Sequence, residues 1–528
     1  MKKKILLGNE AIVQGAMESG VQFVSTFPGT PASEIGNTFF KMSQNKEFKG
    51  YFEFSVNEKI AMEAGIGASL SGLKTLVAMK HFGLNVCSEA LIPFLYTGTK
   101  GPTVISVADD PNCWSSAQSE QNSRGYSYLA HIPTLEPSDP QECKDFIKLA
   151  FSLSEKFKIP VMVRTTTRVS HQKMPVEIQS IPKIKTTGIF TRDIKRFVTM
   201  PPRVLEMKKE LLKKIEEISK ITEKSKINYI SGSKNKTVIV SSGISHLYVM
   251  EAMQELKINL PVLKIGSFYP LPKEKLKRFI KGAKKILVVE ELEPYIEKEI
   301  REISSKAQIF GKNLLPETGE FNPETVISAI AKIVNKKIKL KEIKLNLPKR
   351  FPQLCPGCPY WLIFAAIKKA LPIKTTIFGG DIGCYMLAGF PPHSIQDYLF
   401  CMGSSIGIAH GIKKSSKQKL VTFIGDGTFF HAGMPALVNA VFNKSNPLII
   451  IVDNRITAMT GHQPNPGAPI TPNGIKIENI VKAFGVKNLK IIDPINQKEF
   501  IETIKDFSNK KEVSVIIARR PCVFVIKK

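Results

Sequence analysis

Leu420-Val-Thr-Phe-Ile-Gly-Asp-Gly427 and Leu448-Ile-Ile-Ile-Val-Asp-Asn454 decide how the C-terminal part of this chain folds. Each opens on an apolar, largely β-branched run, the composition of a strand buried on both faces of a parallel sheet. Each ends in a short polar turn. Between them Ala436, Leu437, Val438 and Ala440 mark a helix. Strand, helix and strand place Asp426 and Asn454 at the carboxyl ends of neighbouring parallel strands, where open α/β sheets bind ligands.

The residue types there suit a magnesium diphosphate. Mg²⁺ takes oxygen ligands in octahedral geometry and keeps phosphate oxygens among them. A carboxylate, an amide oxygen and a backbone carbonyl supply three. Gly425 and Gly427 let the backbone approach the phosphates, and the start of the following helix offers free N–H groups. A bare Gly-Asp-Gly is only a turn; Asn454, with 26 residues between it and Gly427 and on the next strand, is what makes the pair specific.

Working outward, the same alternation recurs. Val21–Thr26, Gly101–Ala108 and Lys158–Arg164 read as strands. Glu58–Leu73 and Gln141–Lys156 lie between them as helices. Thr237–Ser242, Leu260–Ile265 and Lys285–Val289 read as strands of a second unit, with a helix over Leu247–Leu256. In the third unit, Val513–Ala518 and Cys522–Ile526 read as closing strands. The expected fold is α/β, with three doubly wound parallel-sheet units. The boundaries expected are 1–180, 236–331 and 354–528. A basic connector over 181–235, helical at Val204–Ile221, and a Lys-rich linker over 332–353 separate them.

The chain has 528 residues, ample for three such units, with 43% hydrophobic and 23% charged residues, as in a globular protein with real cores. Lys and Arg total 75 against 46 Asp and Glu, a net +29, which invites an acidic partner without naming it. Nucleic acid is a poor candidate: there are two Trp, and the Lys-rich connectors lack interleaved aromatics. No apolar run approaches the roughly 18 residues of a membrane span. Asn9 and Glu10 interrupt the N-terminal apolar run too early for a signal peptide. A cytoplasmic protein with reduced thiols is expected.

The Gly-Asp-Gly…Asn spacing resembles the thiamine diphosphate motif. That resemblance makes Asp426, Asn454 and the Ile456 carbonyl the Mg²⁺ ligands. A thiamine enzyme also needs a carboxylate at N1′ of the aminopyrimidine. Glu58, opening a helix with Ala61, Ala64, Gly65, Gly67 and Ala68, is the candidate. By position alone it could be an ordinary first-turn acid favoured by the helix dipole.

Longer stretches sharpen the likeness. They are Gly8-Asn9-Glu10-Ala11, Phe27-Pro28-Gly29-Thr30-Pro31-Ala32-Ser33-Glu34-Ile35 and Met79-Lys80-His81-Phe82-Gly83-Leu84-Asn85-Val86. Asp109-Asp110-Pro111, Thr428–Gly433 and Thr457–Gln463 join them. Together they are similar to the large subunit of the indolepyruvate ferredoxin oxidoreductases, within the 2-oxoacid:ferredoxin oxidoreductase family, from about residue 5 to the C-terminus. The resemblance implies units of the thiamine diphosphate-binding and transketolase C-terminal-like types. It implies oxidative decarboxylation of an arylpyruvate to its acyl-CoA, with electrons passed to ferredoxin. It makes Glu58 the activating carboxylate and puts Thr30 beside the substrate. Lys80, His81, Arg124, His431 and His462 become candidates for carboxylate binding or proton movement; each could equally be a structural polar residue. Gly425, Gly427, Thr428, Asp381, Gly403 and Ser404 join the cofactor-binding set. A smaller beta-type subunit in a hetero-oligomer is expected. A non-oxidative thiamine decarboxylase or ligase is the rival, needing no metal cluster.

Cys355-Pro-Gly-Cys358, Asp381-Ile-Gly-Cys384 and Pro521-Cys522 match, residue by residue, positions that hold the [4Fe–4S] cluster in related enzymes, and such clusters take four thiolates. A structural Zn²⁺ site or unliganded thiols remain open alternatives. Cys87, Cys113, Cys143 and Cys401 lack partners at ligand spacing and are expected to be bystanders. Indolepyruvate enzymes typically add a ferredoxin-like tail of eight cysteines. None follows here, so electrons are expected to leave through a separate ferredoxin-like subunit or an acidic ferredoxin docked on the basic surface.

Overall fold

A computed structural model describes residues 2–304, 306–338, 347, 348, 351–468 and 474–526. The chain divides into two compact units, Met1–Ile343 and Lys344–Lys528. Part of the basic linker expected over 332–353, residues 339–346, 349 and 350, lies outside the described residues.

The first unit is built on a seven-stranded sheet. Its order is Ser267–Tyr269, Thr134–Leu135, Val161–Thr166, Thr103–Asp109, Thr75–Lys80, Phe23–Thr26 and Tyr51–Phe54. All neighbours run parallel except the first pair. Thr75–Lys80 and Thr103–Asp109 are buried along their whole length, as central strands covered on both faces must be. Helix Glu58–Leu70 starts where the Asn57 side chain accepts the Ile60 N–H at 2.9 Å. It stops short of Leu73 because Gly72 takes a left-handed φ of 89°. Gly65 is what seats this helix on the sheet: a Cβ there would meet the Val77 side chain at 2.5 Å.

A second sheet of the same unit orders Gln308–Phe310, Lys285–Val289, Thr237–Ser242, Val262–Ile265 and Tyr229–Ser231, the last antiparallel. Segment 236–331 supplies four of these five strands, Tyr229–Ser231 of the expected connector adds the fifth, and Ser267–Tyr269 goes to the edge of the first sheet. A small antiparallel pair joins Lys3–Leu7 to Lys173–Glu177. Within the basic connector, helix Arg203–Lys224 buries Met207, Leu211, Ile215, Ile218 and Thr222, one stripe at helical spacing, while its charges face outward.

The second unit is a five-stranded, wholly parallel sheet ordered Thr376–Gly379, Lys419–Gly425, Leu448–Asp453, Ser514–Arg519 and Asn488–Ile492. Phe364, Phe423, Ile450 and Ile516 fill one face; Ile424, Ile449, Ile451 and Ile517 fill the other. One expectation is corrected. Cys522–Ile526 is not a strand; Val523–Ile526 is a helical turn. Its apolar composition suits a strand, but Ser514–Arg519 already has a parallel neighbour on each side. Pro521 has no N–H for a ladder. The Cys522 amide is spent on Asn454, and the Val525 amide turns back to Cys522.

Candidate functional site

In the second unit, strand Lys419–Gly425 ends directly in Asp426. The Asp426 carboxylate is buried and accepts hydrogen bonds from Asn465 Nδ2, at 3.0 Å, and from the Gly427 backbone. Burial first, and then the Asp453 charge, push it up to about 7. Asp453 is itself neutralised by Arg519 at 2.6 Å, which also holds Glu478 at 2.7 Å. Asn454 ends the next strand, buried, with its Oδ1 accepting the Ile456 N–H at 3.3 Å. The Thr457 and Gln463 amides and carbonyls pair reciprocally and close the loop that carries Ile456.

The backbone around Asp426 is bare by necessity. A Cβ on Gly427 would stand 2.9 Å from Thr457 Oγ1, and one on Gly425 2.6 Å from the Tyr385 ring. The Thr428 hydroxyl donates to the Ile382 carbonyl at 2.9 Å and receives the Tyr385 hydroxyl at 3.0 Å. His431 is buried in Phe429–Gly433, a π-helical turn that widens the helix just after the Gly-Asp-Gly turn. His462 lies apart on an exposed turn, its ring 5.6 Å from Phe524.

Asp381 is a scaffold for this pocket. Its carboxylate accepts the N–H groups of Ile382, Gly403 and Ser405 at 2.7, 2.7 and 2.9 Å. It thereby fixes the start of helix Ser404–Ser415. Gly403 sits there at a left-handed φ of 90°, with Ala432 where its side chain would be. The Ser404 hydroxyl bonds back to the Cys401 carbonyl at 2.6 Å.

Asp426, the Asn454 amide and the Ile456 carbonyl offer oxygen donors of the type Mg²⁺ takes, and a buried carboxylate beside a second one favours a cation. The donors and the glycine backbone fit a magnesium diphosphate. The four matched cysteines also come into one neighbourhood. Burial pushes Cys384 up to about 12 and Cys358 up to about 11, and each also feels the other candidate thiols. Cys355 is exposed and Cys522 buried. Their chemistry suits an iron–sulfur cluster, although among the described residues no three His, Cys, Asp or Glu side chains close on a common point as metal ligands.

In the first unit, carboxyl ends of parallel strands converge on a second candidate group. Phe23–Thr26 runs into the Thr30 loop, and Tyr51–Phe54 leads to Glu58. Thr75–Lys80 ends in Lys80 and His81, and Thr103–Asp109 leads to Asp110. Glu58 is buried, and Gly83 lies flat against it: a Cβ there would meet Glu58 Cγ at 2.5 Å. Lys80 is nine-tenths buried, its stem against Gly29. Its ammonium donates to Ser116 Oγ at 2.8 Å and to the Ser115 carbonyl at 3.0 Å. Burial pushes it down to about 8, against the pull of Asp110 and Glu58. His81 is fully buried, and burial holds it below the usual histidine range. Thr30 Oγ1 lies 3.3 Å from Ser33 Oγ.

Arg124 is not available to a substrate. It is buried and pairs with Glu136 at 2.6 Å, Glu290 at 2.7 Å and Ser242 Oγ at 2.6 Å, tying the first sheet of this unit to the second. Arg164 extends the network to Asp109 and Glu136. Sequence reasoning missed this network, because its members are scattered between residues 109 and 290 and only the fold assembles them. Glu290-Glu291 directly after an apolar strand was the one local signal.

Three family models match the chain. "Pyruvate flavodoxin/ferredoxin oxidoreductase, thiamine diP-bdg" covers residues 14–223. "Indolepyruvate oxidoreductase domain" covers residues 223–346. "Thiamine pyrophosphate enzyme, C-terminal TPP binding domain" covers residues 381–518. The indolepyruvate oxidoreductase subunit IorA of Methanothermobacter thermautotrophicus is 42% identical, over 99% of this chain and 87% of its own length. IorA of Pyrococcus horikoshii is 39% identical, over 99% and 86%. Among solved structures, the 2-oxoglutarate:ferredoxin oxidoreductase of Magnetococcus marinus shares the fold. Its TM-score is 0.51 at 18% identity, covering 62% of this chain and 65% of that one.

Proposed function

The chain belongs to the indolepyruvate oxidoreductase IorA family, and from that premise we propose that it is the thiamine diphosphate-bearing subunit that oxidatively decarboxylates an arylpyruvate such as indolepyruvate. The net reaction takes a 2-oxoacid and coenzyme A to an acyl-CoA and CO₂, releasing a proton and two electrons to ferredoxin. The observation that carries the reading is the buried Asp426 carboxylate at one strand end with Asn454 at the next.

Asp426, Asn454 and the Ile456 carbonyl would hold Mg²⁺. Gly425, Gly427 and Thr428 would meet the diphosphate, with Asp381 holding the Gly403–Ser404 turn in place. Glu58 would bond N1′ of the aminopyrimidine. When bound, thiamine diphosphate supplies the electron sink that lets the carboxylate leave as CO₂. Thr30, Lys80 and His81 would meet the substrate, and His431 would take a proton-moving role in the second unit. Lys80 offers a positive charge to the 2-oxoacid carboxylate, and His81, kept neutral by burial, can hold or pass a proton.

Cys355, Cys358, Cys384 and Cys522 would hold a [4Fe–4S] cluster that carries electrons one at a time. A smaller beta-type subunit, ferredoxin and coenzyme A complete the assembly, in the cytoplasm. No helix among the described residues is long and apolar enough to cross a membrane. Isothermal titration of thiamine diphosphate with Mg²⁺ tests the reading. Wild type should bind and Asp426→Ala should not; equal binding by both would remove Asp426 from the metal site.

A further inference from the structure

Loop 111–122 follows strand Thr103–Asp109 without regular secondary structure and lies against Lys80. One residue organises it. Asp110 Oδ2 accepts the Ser115 N–H at 2.7 Å and the Ser116 hydroxyl at 2.8 Å. Asp110 Oδ1 accepts the Trp114 N–H at 3.2 Å and the Thr167 hydroxyl at 2.8 Å. The carboxylate is thus held by two amides and two hydroxyls, and, although burial opposes them, these bonds and the Lys80 charge lower it below the usual carboxylate range. Ser116 is the link: its proton goes to Asp110, and its lone pair receives the Lys80 ammonium. Lys80, Ser116, Asp110 and Thr167 form one chain of hydrogen bonds across three strand ends.

We propose that Asp110, acting through Ser116, is a positioning residue that holds the Lys80 ammonium charged and aimed for the carboxylate of the 2-oxoacid. The inference rests on the thiamine diphosphate reading of this site. An ammonium has three protons. Two go to Ser116 and to the Ser115 carbonyl, and the ammonium also lies 4.9 Å from the centre of the Phe82 ring, a weaker partner than an arriving carboxylate. A carboxylate is a stronger partner for an ammonium than a neutral carbonyl, so an arriving 2-oxoacid competes well at this position. The charge must also survive burial. Asp110 is the first of the groups that favour the ammonium, ahead of Glu58 and Cys113. His81, a further titratable neighbour, is shifted by burial toward its neutral form, which adds no opposing charge. Neutralising Asp110 would leave the amine to lose its proton at lower pH, and substrate binding would follow.

Asp110→Asn and Ser116→Ala test this in the assembled holoenzyme with thiamine diphosphate and Mg²⁺. The probes are indolepyruvate and phenylpyruvate, with kcat and KM measured from about pH 6 to 9. For Asp110→Asn the alkaline limb of kcat/KM should move about one pH unit toward acid, and KM at pH 8 should rise about tenfold, more than kcat falls. Ser116→Ala, which keeps the charge but breaks the link, should raise KM with a smaller displacement of the limb. Lys80→Met should abolish the limb. Lowered thermal stability with an unmoved limb and unmoved KM in both Asp110→Asn and Ser116→Ala would make Asp110 merely structural and overturn the inference. A wild-type holoenzyme that turns over neither 2-oxoacid overturns the functional reading instead.

Discussion

The backbone N–H of Cys522 donates to the carbonyl of Asn454 at 2.9 Å. This bond fastens a candidate cluster ligand to a candidate Mg²⁺ ligand at the ends of adjacent parallel strands. The neighbouring Arg520 N–H does the same to Asp453 at 3.0 Å.

Because that bond uses only backbone, Cys522→Ser should keep it while removing a thiolate. The variant should lose visible iron–sulfur absorbance and ferredoxin reduction, yet bind thiamine diphosphate and Mg²⁺ within about twofold of wild type by calorimetry, since a 1.4 kcal/mol change would already be tenfold. Simultaneous loss of both cofactors would show that the cysteine supports the metal loop itself.

Glu58→Gln should fold normally and lower turnover by about 10²–10⁴-fold, the range for a lost acid–base contribution. Steady-state assay with saturating cofactor checks this. Turnover near the wild-type value would remove Glu58 from the cofactor.

Gly83→Ala probes the same carboxylate from outside. The added methyl would stand 2.5 Å from Glu58 Cγ and 2.9 Å from its Oε1, so the Glu58 side chain must move. Turnover should fall by more than about tenfold, because misplacement of a reacting group is costly, and thermal stability should fall too, because the methyl would also stand 2.9 Å from the buried Met79 Cβ. Wild-type turnover would show that Glu58 has room to spare.

Glu291 is fully buried and, by burial, pushed from its ordinary value of 4.5 up to about 7. The folded protein thus keeps a proton there that the unfolded chain has lost. Its contribution to stability is full below about pH 4.5 and is lost as pH rises through about 7, by no more than ~3 kcal/mol. Glu291→Gln keeps an oxygen for the Phe321 N–H, bonded at 2.8 Å in the native protein, and removes the titration. Its melting temperature should fall less than that of wild type between about pH 5 and 8. Parallel curves would exclude Glu291 as a source of the pH dependence.

Much of this architecture was legible in residues 419–454, because a parallel strand buried on both faces needs a continuous apolar run and the Gly-Asp-Gly turn punctuates it. Lys285–Val289 and Thr237–Ser242 were read to their ends for the same reason. Cys522–Ile526 was misread: composition favours a strand, while Pro521 and the Asn454 carbonyl divert the chain. The short edge strand Ser267–Tyr269 could not be read, since its partner Thr134–Leu135 is distant in sequence and pairing is a tertiary event. Within the candidate site, residue types and spacing pointed to Asp426 and Asn454, whereas Glu58 stood out only through the family resemblance. Which polar side chains serve the scaffold did not show: Asp381 caps its own loop, and Arg124 is consumed by buried carboxylates.

The most direct test of the central claim is anaerobic reduction of ferredoxin by indolepyruvate and coenzyme A. The chain should be co-expressed with a beta-type subunit and assayed with and without thiamine diphosphate and Mg²⁺. The account predicts reduction that requires both cofactors and both carbon substrates and disappears in Asp426→Ala. Decarboxylation that proceeds at full rate without reducing ferredoxin, in protein free of iron and sulfide, would contradict it.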